Sequence, residues 1–317
     1  MIIKYITDKW LASIVVSSLL VSTGAYADSY TSIDFEVGRR SDDINFNIAG
    51  DINGNNPNIL SELTWTGLRI RQAKVSVHHR SDKNSIVMIS TSHGSIRSGS
   101  NQDSDYGGDY RTLEFSRSYN DTSGDDVVDR EIGFGYQFDI YDSRSKNIAH
   151  LVPLVGYSYH EQNLRITNGN QVVQLFPTLV LQPFSGLNST YQTVWDGKWI
   201  GLQLRFKSMV RQDRIYLFFK HHWPDYYAEG NWNLRTTFAH PKSFSHQASG
   251  TGDEFLIKWI ENTTRVWALS MTVHFQQWNT APGLDITYFS DGTAAATRLN
   301  GVEWQSTTFM LGVEVRI

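Results

Sequence analysis

The last nine residues of the chain constrain its fold more than any other segment. Five apolar residues, Phe309, Leu311, Val313, Val315 and Ile317, alternate with Met310, Gly312, Glu314 and Arg316. Successive side chains of a β-strand point to opposite faces, so this pattern predicts a strand with one wholly apolar face. The chain also stops on that apolar face. The sequence therefore predicts that its C-terminus is a strand built into a sheet.

Residues 1–27 have the layout of a secretory signal peptide. Lys4 and Lys9 accompany an apolar run over residues 10–21, and Ala25-Tyr26-Ala27 forms a small-residue cleavage site. A helix that crosses a bilayer needs about 20 apolar residues, so a permanent helical anchor is the weaker interpretation. We predict a signal peptide at residues 1–27 and a single domain at residues 28–317.

Composition removes several classes of protein. The whole chain has 28 basic and 32 acidic side chains. Removal of the predicted signal peptide takes away Lys4, Lys9 and Asp8, so the formal net charge moves from −4 to −5. A negative net charge does not indicate a nucleic-acid partner. The chain has no Cys, which excludes disulfides and thiolate metal sites. Its mean hydropathy is negative, which argues against a polytopic helical membrane protein but suits a barrel.

Period-two segments recur along the mature chain and pair into about ten long strands. The candidates are residues 32–37, 44–48, 60–70, 73–79, 85–91, 130–140, 151–165, 199–206, 215–220, 254–261, 266–275, 284–289 and 307–317. Polar clusters at residues 50–58, 94–108, 120–126 and 245–252 predict loops. The predicted fold is all-β: a single transmembrane antiparallel barrel of about ten strands in an outer membrane.

Aromatic residues make up 13% of the chain. Many lie near predicted strand ends, where Trp and Tyr rings form interfacial girdles in barrels: Trp65, Tyr157, Tyr159, Trp199, Trp223, Tyr226, Tyr227, Trp259 and Trp278. In the alternative interpretation, these rings fill the core of a soluble periplasmic sandwich. The C-terminal strand favours the barrel.

Several short motifs, in order, resemble the omptins, a family of ten-stranded outer-membrane barrels that act as surface endopeptidases. Residues 32–38 and 44–48 look like the opening hairpin of that family, and residues 60–65 are similar to its Ser-Gln-Leu-Asp-Trp motif. Gly156-Tyr157, residues 199–202 and the closing segment 300–317 also match in order. Chains with this fold usually end on Phe or Trp, so Ile317 departs from the pattern.

The resemblance implies a site made of two carboxylates from one outer loop and an Asp/His pair from another, with the attacking water between them. Residues 101–106 look like the Asp-Gln-Asp-Trp motif, which places Asp103 and Asp105 at the two acidic positions. Residues two apart in an extended segment share a face, and two close carboxylates raise the pKa of at least one of them. The alternative is an ordinary solvated acidic loop.

The same alignment places Asn231 and Asn233 where the family has Asp and His. An amide cannot take a proton from water, so this departure argues against proteolysis. Nearby replacements are His222 or His240 with Asp225 or Glu229, while His221 and His246 lie in the same stretch. The sequence leaves open which of these side chains meet.

We therefore predict a surface barrel that is non-proteolytic or diverged, with an active endopeptidase cleaving at basic residues as the alternative. A diffusion porin is less favoured because ten strands enclose little free space. No motif indicates a cofactor or a metal. The predicted partners are outer-membrane lipid, with lipopolysaccharide phosphates meeting Arg69, Arg71, Lys74 and Arg80, and peptides or proteins at the surface loops.

Overall fold

The computed structural model describes residues 29–141, 148–175, 183–207 and 213–317, so the predicted signal peptide lies outside the described residues. Within them there is one short 3-10 turn, Asp109–Arg111, and no helix that is long and apolar enough to cross a membrane. The strands are β1 (Tyr30–Ile48), β2 (Ser61–Arg80), β3 (Ser85–Gly108), β4 (Thr112–Thr122), β5 (Asp126–Tyr136), β6 (Phe138–Tyr141), β7 (Ile148–Gln174), β8 (Ser189–Lys207), β9 (Arg214–Asn231), β10 (Phe244–Asn262), β11 (Trp267–Thr280), β12 (Gly283–Tyr288) and β13 (Ala294–Arg316).

The strands pair antiparallel in chain order and close into a ring. β4, β5 and β6 lie one after another along β7, and β11 and β12 together fill the place between β10 and β13. When strands that lie end to end are counted as one, the ring has about ten strands, as predicted. β1 pairs with β13 from Ser32↔Arg316 to Ile48↔Leu299, which leaves no open edge at the seam.

An apolar belt surrounds the part of the barrel nearest the chain termini. Its outward side chains include Phe35, Val37, Val155, Ile200, Phe219, Phe255, Phe275, Phe309 and Leu311, all exposed on the outer wall. Exposed apolar side chains in a continuous band are stable against lipid rather than water. Farther from the termini the outward positions become polar, as at Asp43, Gln277 and Gln305. The strands therefore extend well beyond the membrane.

The lengths of the connections orient the barrel. At the end with the termini, residues 81–84 and 263–266 make tight turns, whereas residues 49–60 and 232–243 form long connections at the opposite end. Outer-membrane barrels have short periplasmic turns and longer extracellular loops. The polar extension is therefore the extracellular end, and its opening is called the mouth below.

A polar network fills the barrel interior at the level of the belt and just beyond it. Glu254 is 2% exposed and lies 3.0 Å from Lys220 Nζ, 3.2 Å from His222 Nε2 and 3.1 Å from His274 Nε2. Lys220 also contacts Glu131. Each charged group thus has a partner of opposite charge, which offsets the cost of removing it from water.

Above this network the interior is aromatic. Trp65, Trp195, Trp278, Trp304 and Tyr191 are each at most 1% exposed and belong to one core cluster. The predicted interfacial girdles are therefore wrong for the tryptophans Trp65, Trp199 and Trp278 and for Tyr226, all of which point inward. Trp223 and Tyr157 do face outward. Trp65, Trp278 and Tyr226 belong to the extracellular core, whereas Trp199 packs with Phe218 inside the barrel at the level of the belt.

Several predicted turns are strand interiors. Residues 38–43 continue β1 without a hairpin, and residues 71–72 continue β2. The polar stretches 94–108 and 245–252, predicted as loops, belong to β3 and β10. Both stretches lie beyond the apolar belt, where a strand needs no lipid-facing apolar side chains. Their polarity reflects exposure to water on the outer wall, not a break in the sheet.

Replacing Glu254 should test the polar network, because Asp253 is its neighbour on the opposite face and gives a matched control. We expect Glu254→Ala to lower the free energy of unfolding by about 3–5 kcal/mol, since it removes one partner of a buried charge pair. Asp253→Ala should cost no more than about 1 kcal/mol, because its contact with His221 is exposed. Urea unfolding in lipid vesicles measures both; equal losses would contradict this account.

Candidate functional site

The predicted acidic pair lies at the mouth, on the extracellular part of β3. Asp103 is directly opposite Leu63 of β2 and Ser118 of β4, and Leu63 is buried inside the barrel. Directly opposite residues in a sheet share a face, so Asp103 points inward. Asp105, two residues on, shares that face and is hydrogen-bonded by Ser61 and Ser116. The structure thus brings both carboxylates to one side of the mouth.

Burial and mutual repulsion change the titration of this pair, which lies beyond the membrane. Burial is the larger effect, and together with the neighbouring Asp105 charge it raises the pKa of Asp103 to about 8. Burial also raises the pKa of Asp105, against the hydrogen bonds from Ser61 and Ser116. At neutral pH Asp103 is therefore largely protonated.

The positive charge of Arg235 acts on both carboxylates. Arg235 lies in the connection between β9 and β10, and its guanidinium lowers the pKa of Asp103 and of Asp105. An arginine side chain remains protonated and has no lone pair to accept a proton. Arg235 can therefore hold an anionic group or balance the carboxylates, but it cannot activate water.

The structure does not bring the two predicted asparagines to the acidic pair. Asn231 ends β9 on the outward face, and its Oδ1 lies 2.7 Å from His240 Nδ1. Asn233 accepts hydrogen bonds from Asn188 N at 2.9 Å and Ser189 Oγ at 3.1 Å, and so ties two extracellular connections together. The inward positions near the end of β9 are Tyr226, Ala228 and Gly230. A catalytic role for Asp103, Asp105, Asn231 or Asn233 stays a prediction.

The side chains that could replace the missing Asp/His pair lie on opposite faces of the barrel wall. His222 points inward, where Glu254 and Ser158 hold it deep in the barrel. Asp225 and Glu229 point outward, and Glu229 contacts Lys242 at 2.8 Å. His240 is exposed beside Asn231. His222 therefore does not meet either carboxylate of β9.

An Asp/His pair does exist inside the barrel, at a position that the sequence did not reveal. His246 of β10 is directly opposite Asp285 of β12, and its Nε2 lies 3.1 Å from Asp285 Oδ1. Its Nδ1 lies 2.8 Å from the Tyr191 hydroxyl, which contacts the Tyr226 hydroxyl at 2.6 Å. His246 and Asp285 are 0% and 1% exposed. Aromatic rings enclose this pair, so it supports the core rather than meeting a substrate.

The sequence pattern singles out His246 but gives no signal for Asp285. The alternation of Phe244 and His246 with polar residues was the available signal, and it falls in a stretch predicted as a loop. The partner is 39 positions away and is found only from the register of β10 with β12. In the part of the chain that the structure describes, no group of three or more His, Asp or Glu side chains could hold a metal ion.

A closed antiparallel ring, an apolar belt and a polar extracellular extension together define an outer-membrane β-barrel. The chain belongs to the Protochlamydia outer membrane protein family, whose sequence model matches residues 34–317. The family and the fold together place the protein in the outer membrane.

No curated protein matches the sequence. A solved structure shares this fold. The outer membrane protease OmpT from Escherichia coli is similar at a TM-score of 0.70 and 11% identity, over 93% of this chain and 99% of that chain. The translocator domain of the autotransporter NalP from Neisseria meningitidis reaches a TM-score of 0.36 at 10% identity, over 98% of this chain and 95% of that chain. At such low identity the likeness to OmpT extends to the fold, and fold alone does not determine activity.

The titration of Asp103 should respond to its two charged neighbours. We expect its pKa of about 8 to fall in Asp105→Asn, because a negative charge is removed, and to rise in Arg235→Gln, because a positive charge is removed. Carboxyl ¹³C NMR of labelled protein in micelles measures this. Asp139, which contacts His150 at the opposite end of the barrel, is the control, and its titration should not change. An Asp103 that titrates near the ordinary value of about 3.9 would contradict the arrangement.

Proposed function

We propose that this protein is a non-proteolytic surface barrel whose extracellular mouth and loops bind partners. The observation that carries the proposal is that, among the described residues, no imidazole contacts the acidic pair: His246 is held by Asp285, and the exposed His240 contacts Asn231. Asp103 and Asp105 lie at the mouth within the influence of the Arg235 charge, whereas His246 is fully buried. The partners are peptides or proteins that reach the exposed connections between strands.

Hydrolysis of a peptide by activated water requires a base that can reach the water and take its proton. His246 has Asp285 beside one ring nitrogen and Tyr191 beside the other, and the ring is fully buried, so neither nitrogen is exposed to solvent. Asp103 is largely protonated at neutral pH, and Arg235 is a permanent cation. The acidic pair is better suited to donating and accepting hydrogen bonds than to general-base catalysis.

The alternative is an omptin-type endopeptidase that cleaves at basic residues. It is favoured by the acidic pair itself, since two adjacent carboxylates with a raised pKa are a recurring device in acid–base catalysis. In that case Asp105 would have to take the proton from water without help from an imidazole. The two proposals differ in whether any turnover depends on the aspartates.

Cleavage of a fluorogenic dibasic peptide separates these functions. We expect no hydrolysis by the refolded protein in the presence of lipopolysaccharide, and none by a variant carrying Asp103→Ala and Asp105→Ala. Both proteins should show heat-modifiable migration, which establishes that each barrel is folded. Cleavage by the natural chain that disappears in the variant would overturn the proposal in favour of the endopeptidase.

The filled interior also argues against a diffusion channel. The cavity around Asp129 and Glu254 has a volume of about 40 Å³, which is room for about three water molecules. Arg40 closes this level by contacting Asp42 at 2.6 Å and Asp129 at 2.9 Å. The proposed function therefore lies at the extracellular surface.

We expect no stable conductance steps when the protein is inserted into a planar bilayer, because side chains of opposite charge occupy the lumen. A general diffusion porin serves as the positive control for insertion and recording. Sustained steps from the natural chain would contradict the filled interior and favour a channel.

A further inference from the structure

A groove of about 340 Å³ lies on the outer wall of the barrel, away from the mouth, where β1, β13 and β11 adjoin. Its outward side chains are mostly amides: Asn45, Asn47, Gln277, Asn279, Glu303 and Gln305. They form cross-strand rows, since Glu303 is opposite both Asn45 and Asn279, and Gln305 is opposite Gln277. We infer that this amide groove binds a neutral saccharide.

The groove lies where hydrogen bonding between β13 and its neighbour is interrupted. Pro282 has no N–H, and Ala281 N donates at 2.9 Å to Ser249 O of β10 instead of to β13. The Thr280 hydroxyl then accepts a hydrogen bond from Val302 N at 3.0 Å. This interruption lies between β11 and β12, so the concave shape belongs to the backbone and does not depend on a mobile loop.

The lining favours an uncharged ligand with many hydroxyl groups. An amide offers both a donor and an acceptor, which suits adjacent sugar hydroxyls. Asn45 Nδ2 donates to Glu303 Oε2 at 3.3 Å, and Asn300 Nδ2 donates to Asn47 Oδ1 at 2.8 Å, so these amides are oriented. Gln277 and Gln305 make no hydrogen bond to another described side chain and are free to bind.

Other ligand classes fit the groove less well. No basic residue lines it, so it lacks the cation that would hold a phosphate. An apolar ligand would cover the amides and leave their hydrogen bonds unmade, at a cost of about 1–3 kcal/mol for each buried group. Glu303 is the one charged lining residue and can accept hydrogen bonds from sugar hydroxyls.

The height of the groove indicates where such a ligand would come from. Gln277 follows Phe275 of the apolar belt by two positions, a rise of about 7 Å along the strand. The groove thus begins just outside the hydrocarbon layer. A sugar headgroup of an outer-leaflet glycolipid would lie at that height, and a free glycan could approach from solution. The inference is independent of whether the mouth is proteolytic.

The test compares the natural protein with a variant carrying Gln277→Ala and Gln305→Ala. One arm is a printed array of neutral hexose and N-acetylhexosamine oligosaccharides; the other is nanodiscs that contain a neutral glycosyl-diacylglycerol. Gln192→Ala, an exposed amide on β8, is the matched control. Heat-modifiable migration verifies that all three proteins are folded.

We expect the natural protein and Gln192→Ala to bind in at least one arm, and the double variant to bind at least about tenfold more weakly, a loss of about 1.4 kcal/mol. Binding on the array identifies a free glycan as the ligand, and binding to nanodiscs alone identifies a lipid headgroup. Absence of binding by the natural protein in both arms would overturn the inference. So would equal affinity of the natural protein and the double variant.

Discussion

The structure depends on pairing charged groups inside a closed sheet. A barrel satisfies its backbone through the ring of strands, but inward polar side chains must find partners within the lumen. Asp129 of β5 contacts Arg40 of β1, Ser92 of β3 and His160 of β7. Glu254 of β10 contacts Lys220 of β9 and His274 of β11. Strands from around the whole ring meet in these contacts. The network therefore fixes the cross-section of the barrel as well as offsetting buried charge.

The interior changes character along the barrel axis, and this determines where function can lie. The polar network occupies the membrane level, and the aromatic core that includes Trp65 and Tyr191 lies above it. In the part of the barrel that the structure describes, buried side chains fill both layers. The mouth is consequently a shallow surface above a packed floor, and groups at its rim, such as Asp103 and Asp105, share their environment with the extracellular connections.

Sequence patterns predicted the membrane part of the fold well because lipid imposes a strict rule on outward residues. Phe309 to Ile317 alternates for that reason, and it forms the end of β13. Beyond the belt both faces of a strand can be polar, so residues 94–108 appeared to be a loop although they form the upper half of β3. Asp103 and Asp105 are predicted from the resemblance of residues 101–106 to an omptin motif, and their two-residue spacing places both side chains on one face. The His246–Asp285 pair was missed because cross-barrel register cannot be read from local spacing.

The charge of the acidic pair does not stabilise the folded protein. Asp103 has a pKa of about 8 in the folded barrel and about 3.9 in an unfolded chain, so between those values the folded state binds more protons. Stability contributed by this group therefore falls as pH rises through that window, and an ionised Asp103 is unfavourable at the mouth. A neutral side chain would fold better at this position. Carboxylates with a strongly shifted pKa cluster at functional sites, so this pair is the first contact to examine for the proposed binding at the mouth.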